Sequence, residues 1–456
     1  MAGTHNLRLA AIAEELREFL PSIQIVMATA ERAGLHGEKV PAAERVFSLF
    51  EPHVELIKRG KRSKRRLTSG PPPVYKRLAR GQALSARKEV RMAKKKLKVG
   101  IIGTGMIAVS GHIPAWKNLA DEVELAAVAD ILADRAALVA KSYGAKHAYG
   151  DWRKMLEEQR LDIVSVCTPN CYHKEQTIAA LRAGAHVLCE KPVATSHADA
   201  VAMFEAAEAA NRILFVGQSS RFSEKARAAK EICASGRLGE MYFAETFFLR
   251  RRGIPTWGQF HMKQHSAGGP VYDLGVHAID LLFWLMGNPR VAAVSGATYC
   301  KLGNRDEGLA TSLADSGAPL GVLTPRPYDY RDFDVEDMAA GFIRLEGGAT
   351  VAFKTSWAAN IPQNASSTMI LGTEGGLVLE PLTLVTNMGS YQVNVVPQVP
   401  AGRNVAFSGH WEETAHFLRV LRGEEKLLVT REEVLNVIRT LDALYESAAK
   451  GREIQL

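Results

Sequence analysis

Apolar and polar positions alternate in two different rhythms along this chain, and the change of rhythm divides it. Between residues 97 and 217 the runs LKVGIIG, VELAAVAD, DIVSVC, AHVLCE and RILFVG are short, rich in Val, Ile and Leu, and separated by helical patterns. Runs of this kind are strands covered on both faces, as in a parallel sheet. Strand and helix in alternation predict a doubly wound α/β domain. Beyond Arg221 the strand patterns lengthen, as in MYFAETFFLR, AAGFIRLEGGATVAFKTSW and STMILGTEGGLVLE. Gly347-Gly348 and Gly375-Gly376 read as turns between antiparallel strands. Helices are expected near Trp411 to Arg422 and Arg431 to Lys450, and no internal repeat is present. The expected class is therefore α/β: a Rossmann doubly wound parallel sheet, then an α+β domain with a large, mostly antiparallel open sheet. The expected divisions are an extension (1–91), a nucleotide domain (92–219) and a substrate and oligomerisation domain (220–456).

The extension has neither rhythm for long. A helical pattern covers Leu7 to Leu20 and another run covers Ala43 to Ile57, before KRGKRSKRR (Lys58 to Arg66) and a Gly-Pro-Pro-Pro breaker (Gly70 to Pro73). Between Lys58 and Lys98 stand 17 Lys and Arg against one acid, Glu89. The formal charge of +8 is thus +16 in this stretch and −8 elsewhere. So basic and proline-broken a segment cannot bury enough surface to order itself and reads as a linker or tail. The run ERVFSLFEPHVELIKRGK (Glu44 to Lys61) resembles a stretch of certain insertion-sequence transposases, without their catalytic carboxylates. It is read as a fused remnant, with Met92 the expected start of the enzyme. A nucleic-acid partner is not expected, since the rest of the chain is acidic.

Cys167, Cys171, Cys189, Cys233 and Cys300 are odd in number and form no CxxC pair, which argues against a disulfide framework or a zinc site. No apolar run reaches the roughly 18–20 residues of a membrane span, and the start lacks the basic-then-apolar order of a secretory leader. A cytoplasmic protein, away from membranes, is expected.

The first predicted strand runs into Gly103-Thr104-Gly105-Met106-Ile107-Ala108, a GxGxxA between strand and helix. Gly103 allows the tight turn, Gly105 the approach of a pyrophosphate, and Ala108 close helix packing. The helix start, at Met106 and Ile107, offers free N–H groups to the anion. The next strand ends at Asp130, 22 residues past Ala108, where a carboxylate meets a ribose 2′-hydroxyl and repels a 2′-phosphate. Ile131 and Leu132 follow it, so NAD is expected over NADP. Thr168, Asn170 and His173 follow the fourth strand and Glu190-Lys191-Pro192 the fifth, at the carboxyl ends where open α/β sheets bind ligands.

GxGxxA, TPNxxH and EKP in this order resemble the Gfo/Idh/MocA family of sugar and polyol oxidoreductases, over about residues 95–456. The resemblance implies that Lys191 lies beside the nicotinamide and the reacting hydroxyl, and that Gln218 in VGQSSRF helps enclose the cofactor. It also implies a homodimer or homotetramer. A later segment, Gly268-Gly269-Pro270-Val271-Tyr272-Asp273-Leu274-Gly275-Val276-His277-Ala278-Ile279-Asp280, starts a helix. At about 100° per residue, Asp273, His277, Asp280 and Trp284 share one stripe within about 60°. By itself the stripe fits a capping Asp and a satisfied His as well as a general base. The family pattern GGGxxxDxGxHxxD, with Ala267 at the first glycine, implies that His277 moves the hydroxyl proton, Asp273 orients it or contacts substrate, and Lys191 steadies the alkoxide.

No metal is expected. His261 and His265, at i and i+4, lie in an apparent loop without a glutamate partner. Arg250, Arg251, Arg252 and Trp257 precede the catalytic helix and either border an oxygen-rich ring or form a solvated turn. The expected function is NAD-dependent oxidation or reduction of a sugar, sugar derivative or cyclic polyol. The same residues also suit an enzyme that retains NAD for epimerisation or glycoside cleavage. A regulator without turnover would not need Lys191, Asp273 and His277.

Overall fold

The computed structural model describes residues 95–306, 328–400 and 408–456. The extension, its transposase-like run and the basic linker up to Lys94 lie outside the described residues. Strands β1 (Leu97–Ile102), β2 (Val123–Ala129), β3 (His147–Tyr149), β4 (Ile163–Val166), β5 (His186–Cys189) and β6 (Leu214–Val216) make one parallel sheet, ordered β3-β2-β1-β4-β5-β6. Five of them are the five apolar runs. The sixth, β3, pairs only with β2 at an edge and keeps its residues partly exposed, so it carries no apolar signal. Helices α1 (Ile113–Asn118), α2 (Ala133–Tyr143), α3 (Trp152–Glu158), α4 (His173–Arg182) and α5 (His197–Ala209) connect the strands. Asp151 and Ser196 start α3 and α5 by accepting the N–H groups of Arg153 and Asp199. The strand order reverses between β1 and β4, which opens a crevice at their carboxyl ends.

The chain continues through α6 (Glu224–Ala234), β7 (Met241–Leu249), α7 (Lys263–Ser266), α8 (Val276–Leu285), β8 (Val291–Tyr299), β9 (Met338–Leu345) and β10 (Thr350–Ser356). Then follow β11 (Ala365–Gly372), β12 (Gly376–Leu379), β13 (Leu382–Met388), β14 (Tyr391–Val395), α9 (Ser408–Leu421), α10 (Arg431–Lys450) and β15 (Ile454–Gln455). The nine strands form a second sheet, ordered β14-β13-β12-β11-β7-β10-β9-β8-β15, antiparallel except where β7 meets β10. The two Gly-Gly turns join β9 to β10 and β11 to β12, as their sequence predicts. Thr430 and Glu433 start α10 with a reciprocal capping box. No helix among the described residues is long and apolar enough to cross a membrane.

Both sheets share one hydrophobic cluster, from Val99 to Ile454. The two last helices close it: α10 packs on β8, α8 and α5, while α9 turns back onto α1. The junction is pinned by a charge. Arg221, fully buried just after β6, donates to both oxygens of Asp280 on α8 at 2.8 and 2.6 Å. It also donates to Glu433 on α10 at 2.8 Å and to Leu428 O at 3.2 Å.

Removing one partner of such a group leaves the others charged and unpaired in the interior. Arg221→Ala is expected to destabilise the protein by about 3–5 kcal/mol, read from chemical denaturation. A loss below about 1 kcal/mol, the size of an exposed pair, would contradict a role for this cluster in holding the junction.

Candidate active site

The turn after β1 is shaped for close approach. Gly103 has φ +87°, and a Cβ there would fall 2.8 Å from Cys167 O, so only glycine fits. A Cβ on Gly105 would meet nothing within 4 Å, leaving an open cradle over the backbone of Met106 and Ile107. These begin a helix that runs through a π turn, Ala108–His112, into α1. Asp130 directly follows β2 and is buried, accepting from Thr104 N and Oγ1 at 2.8 Å each and from Leu132 N at 2.9 Å. Its carboxylate also accepts from Arg135 Nε at 3.1 Å and from its terminal nitrogen at 2.8 Å. Reading only the two residues after Asp130 misses this arginine, which α2 returns to the carboxylate one turn later.

Across the crevice, Thr168 Oγ1 donates to Gln176 Oε1 at 2.5 Å, and Asn170 Nδ2 donates to Ser266 O at 2.8 Å. His173 is fully buried, its Nδ1 2.8 Å from Pro192 O and its Nε2 2.8 Å from Thr168 O. It thus ties the loops after β4 and β5 together from behind. Gln218 is 2% exposed and its Oε1 has no hydrogen-bond partner. That buried acceptor and the Gly105 cradle fit a nucleotide cofactor lying along the crevice.

Lys191 leaves β5 beside Glu190 and meets the second sheet's helix. Its Nζ donates to Asp273 O at 3.2 Å and to Asp273 Oδ1 at 3.3 Å, while Trp357 Nε1 donates to Oδ2 at 2.8 Å. Burial pushes the Asp273 carboxyl up, but Lys191, Arg250 and Trp357 together hold it below its usual range. His277 Nδ1 lies 3.5 Å from Ser220 Oγ. Burial and then the Lys191 charge push its imidazole down to about 3. A neutral imidazole, an ammonium and an ionised carboxylate therefore share one wall, the set needed to take a hydroxyl proton and stabilise the resulting oxyanion.

The helical stripe of four divides here. A π turn, Val271–Gly275, precedes α8, so the step of about 100° fails over Asp273. Asp280 and Trp284 enter the core: Asp280 pairs with Arg221, and Trp284 packs under Arg221 and Lys230. Only Asp273 and His277 reach the site. Close packing explains the preceding glycines, since a Cβ on Gly268 would lie 1.9 Å from Tyr445 Oη and one on Gly269 2.1 Å from Glu336 O. Ala267 has φ +67°, the left-handed conformation in which a side chain costs roughly 1–2 kcal/mol, so the departure from glycine carries strain.

In the loop after β7, Arg250 reaches Asp273 electrostatically, whereas Arg251 and Arg252 donate to backbone and side chains of residues 359–364. Trp257 Nε1 is buried without a partner. His261 packs against Tyr328 and Phe333, and His265, on the short α7, faces Tyr172.

Behind Lys191 lies a group the sequence did not announce. His112 Nε2 is 2.7 Å from Glu190 Oε1, His410 Nε2 is 3.4 Å from the same oxygen, and Glu413 Oε1 is 4.0 Å from His410 Nε2. Burial works to raise Glu190, yet hydrogen bonds from the two histidines hold it well below the usual carboxylate range. Burial lifts Glu413 to about 8.

Residues 97–218 match a family described as "Oxidoreductase family, NAD-binding Rossmann fold", and residues 230–456 match its "C-terminal alpha/beta domain". The chain is 30% identical over 366 residues to D-glucoside 3-dehydrogenase of Escherichia coli (strain K12), covering 80% of this chain and 99% of that one. It is 32% identical to D-xylose 1-dehydrogenase (NADP(+)) 2 of Haloferax volcanii, covering 78% and 99%. Among solved structures, levoglucosan dehydrogenase in complex with NADH shares the fold, with TM-score 0.67, 22% identity, and 79% and 99% of the two chains covered.

The depressed His277 has a direct signature. Its ring should stay neutral from pH 8 down to about 5, whereas an unperturbed histidine titrates near 6.5. Since the unfolded chain binds this proton first, the site lowers stability as pH falls below 6.5. NMR of ring-labelled histidines, with His277→Asn for assignment, should show no midpoint between 5.5 and 7.5; one near 6.5 would contradict the burial argument.

Proposed function

Because the chain belongs to the Gfo/Idh/MocA oxidoreductase family, we propose that Lys191, Asp273 and His277 perform its oxidoreduction of a sugar, sugar derivative or cyclic polyol, with NAD preferred. The protein is a nicotinamide-dependent oxidoreductase acting on CH–OH groups, and its relatives include named sugar dehydrogenases. One observation carries the residue assignment: the Lys191–Asp273 contact, 3.3 Å across the meeting of the two sheets, beside a neutral His277.

Gly103, Gly105, Met106 and Ile107 would hold the pyrophosphate, Asp130 the adenosine ribose, and Thr168, Asn170, Glu190, Lys191 and Gln218 the nicotinamide half. When bound, the nicotinamide supplies the hydride acceptor or donor. His277 Nδ1 faces Ser220, which leaves Nε2 to accept the substrate hydroxyl proton. Lys191 Nζ stabilises the oxygen as it loses that proton, and Asp273, fixed by Trp357, keeps Nζ in place. His277 would release that proton before the next turnover. Arg250 and the Trp257 indole suit the remaining hydroxyls of the ring. We place the enzyme in the cytoplasm as a homodimer or homotetramer; free cysteines and a broad open sheet support this reading.

The expected cofactor preference rests on the Asp130 charge, and Arg135 neutralises part of it. The margin for NAD should therefore be modest. Asp130→Ala is expected to weaken NAD use and narrow the gap to NADP in kcat/KM, while Arg135→Ala lowers NADP use more than NAD use. Equal or better use of NADP by the unmodified protein would overturn the preference.

Lys191→Ala and His277→Ala should each lower kcat on a sugar or inositol found by screening for NADH formation. The loss of a positioned acid/base group is typically about 100- to 10,000-fold, with NAD affinity changed far less. Near-normal turnover of His277→Ala at neutral pH would remove it from the mechanism.

A further inference from the structure

Both carboxylate oxygens of Glu413 are buried without a hydrogen-bond partner. His112, Glu190 and His410 complete the group, and one ligand-capable atom from each of the four lies within 4.8 Å of all the others. The residues converge from three elements, His112 from the π turn after β1, Glu190 from the end of β5, and His410 with Glu413 from α9. None is more than 8% exposed, so water does not solvate them from outside.

A fully buried carboxylate without a hydrogen bond, its ion pair to His410 a long 4.0 Å, is unfavourable unless paired more closely or coordinated to a cation. Two imidazoles and two carboxylates are the donors of a borderline divalent ion, and the two carboxylates balance its charge. The spacing agrees. With bonds of roughly 2.0–2.1 Å, a tetrahedral edge is about 3.4 Å, and His410 Nε2 to Glu190 Oε1 is 3.4 Å. The His112–Glu190 edge is shorter at 2.7 Å and the His410–Glu413 edge longer at 4.0 Å, so modest side-chain shifts complete the shell.

We propose that His112, Glu190, His410 and Glu413 bind one divalent transition-metal ion of the zinc class. The ion would be structural and take no part in hydride or proton transfer, although Glu190 also belongs to the proposed nicotinamide half of the site. It joins α9 to the turn that carries Lys191, whose backbone N–H donates to Glu190 Oε2 at 3.1 Å. This inference stands apart from the substrate assignment, since metal binding is read without turnover.

The full-length protein, stripped with a chelator and confirmed folded by circular dichroism, would be titrated with Zn2+ by calorimetry. One Zn2+ per chain is expected, with a rise in thermal midpoint. Glu413→Gln and His410→Ala should each weaken binding by roughly 100-fold or more, the scale on which metal sites respond to loss of their supporting groups. Loading the unmodified protein with Co2+ requires no variant and should give the intense visible absorption of a four-coordinate site. Failure of the folded, unmodified protein to bind stoichiometric Zn2+ would overturn the proposal, leaving the four as a hydrogen-bonded cluster. So would variants that bind Zn2+ as tightly as the unmodified protein, or a Co2+ spectrum of the free hydrated ion.

Discussion

A buried guanidinium holds the site in register. Arg221 follows the last strand of the parallel sheet, and its fork grips Asp280 on α8 while its remaining nitrogen grips Glu433 on α10. An arginine suits this position because a planar fork satisfies two carboxylates with fixed geometry, as a lysine's single ammonium cannot. Asp280 stands three residues after His277 on the same helix. Clamping its carboxylate therefore sets the rotation of α8 and with it the direction of the imidazole. Ser220, the neighbour of Arg221, is also the residue that meets His277 Nδ1. A single short segment after β6 thus fixes both the helix and the ring it carries.

The charges at the reacting wall work in opposition. Lys191 would lose its own partner if Asp273 were protonated, and Asp273 would be pushed up by burial if Lys191 moved away. The same ammonium disfavours an imidazolium on His277. The outcome is an imidazole free of its proton at neutral pH beside an ammonium, which in the proposed mechanism would serve as base and oxyanion partner. Neither property belongs to a residue alone. It follows from bringing the end of β5 against the turn before α8, so that the proposed catalysis would depend on how these elements meet.

Much of this was legible in the sequence because the signals were local. Buried parallel strands show as apolar runs, and the glycine turn shows because only glycine adopts the φ of Gly103. The short strand β3 was silent, being an edge strand with partly exposed residues. The polar stripe of α8 misled over Asp280 and Trp284 because periodicity gives a face but not what covers it, and because the π turn shifts the phase of Asp273. Trp357, just after β10, and the pair His410 and Glu413 have no motif near them. Their placement is set by tertiary packing, with α9 folding back on α1 more than 200 residues later in the chain, which no window of sequence contains.

Arg135 shows a subtler limit, since it lies only five residues from the carboxylate it holds. Asp130 receives two donors from Thr104 and one from Leu132 as well, so its oxygens are oriented before any ligand arrives. Preorganisation of this kind spares a binding site the entropy of ordering a side chain. If Asp130 holds the ribose as proposed, its hydroxyls would share acceptors already in use, and a positive fork would stand beside a 2′-phosphate. Rigidity and charge discrimination therefore pull against each other at this strand end. With part of the Asp130 charge taken up by Arg135, the proposed discrimination between the two cofactors would be modest.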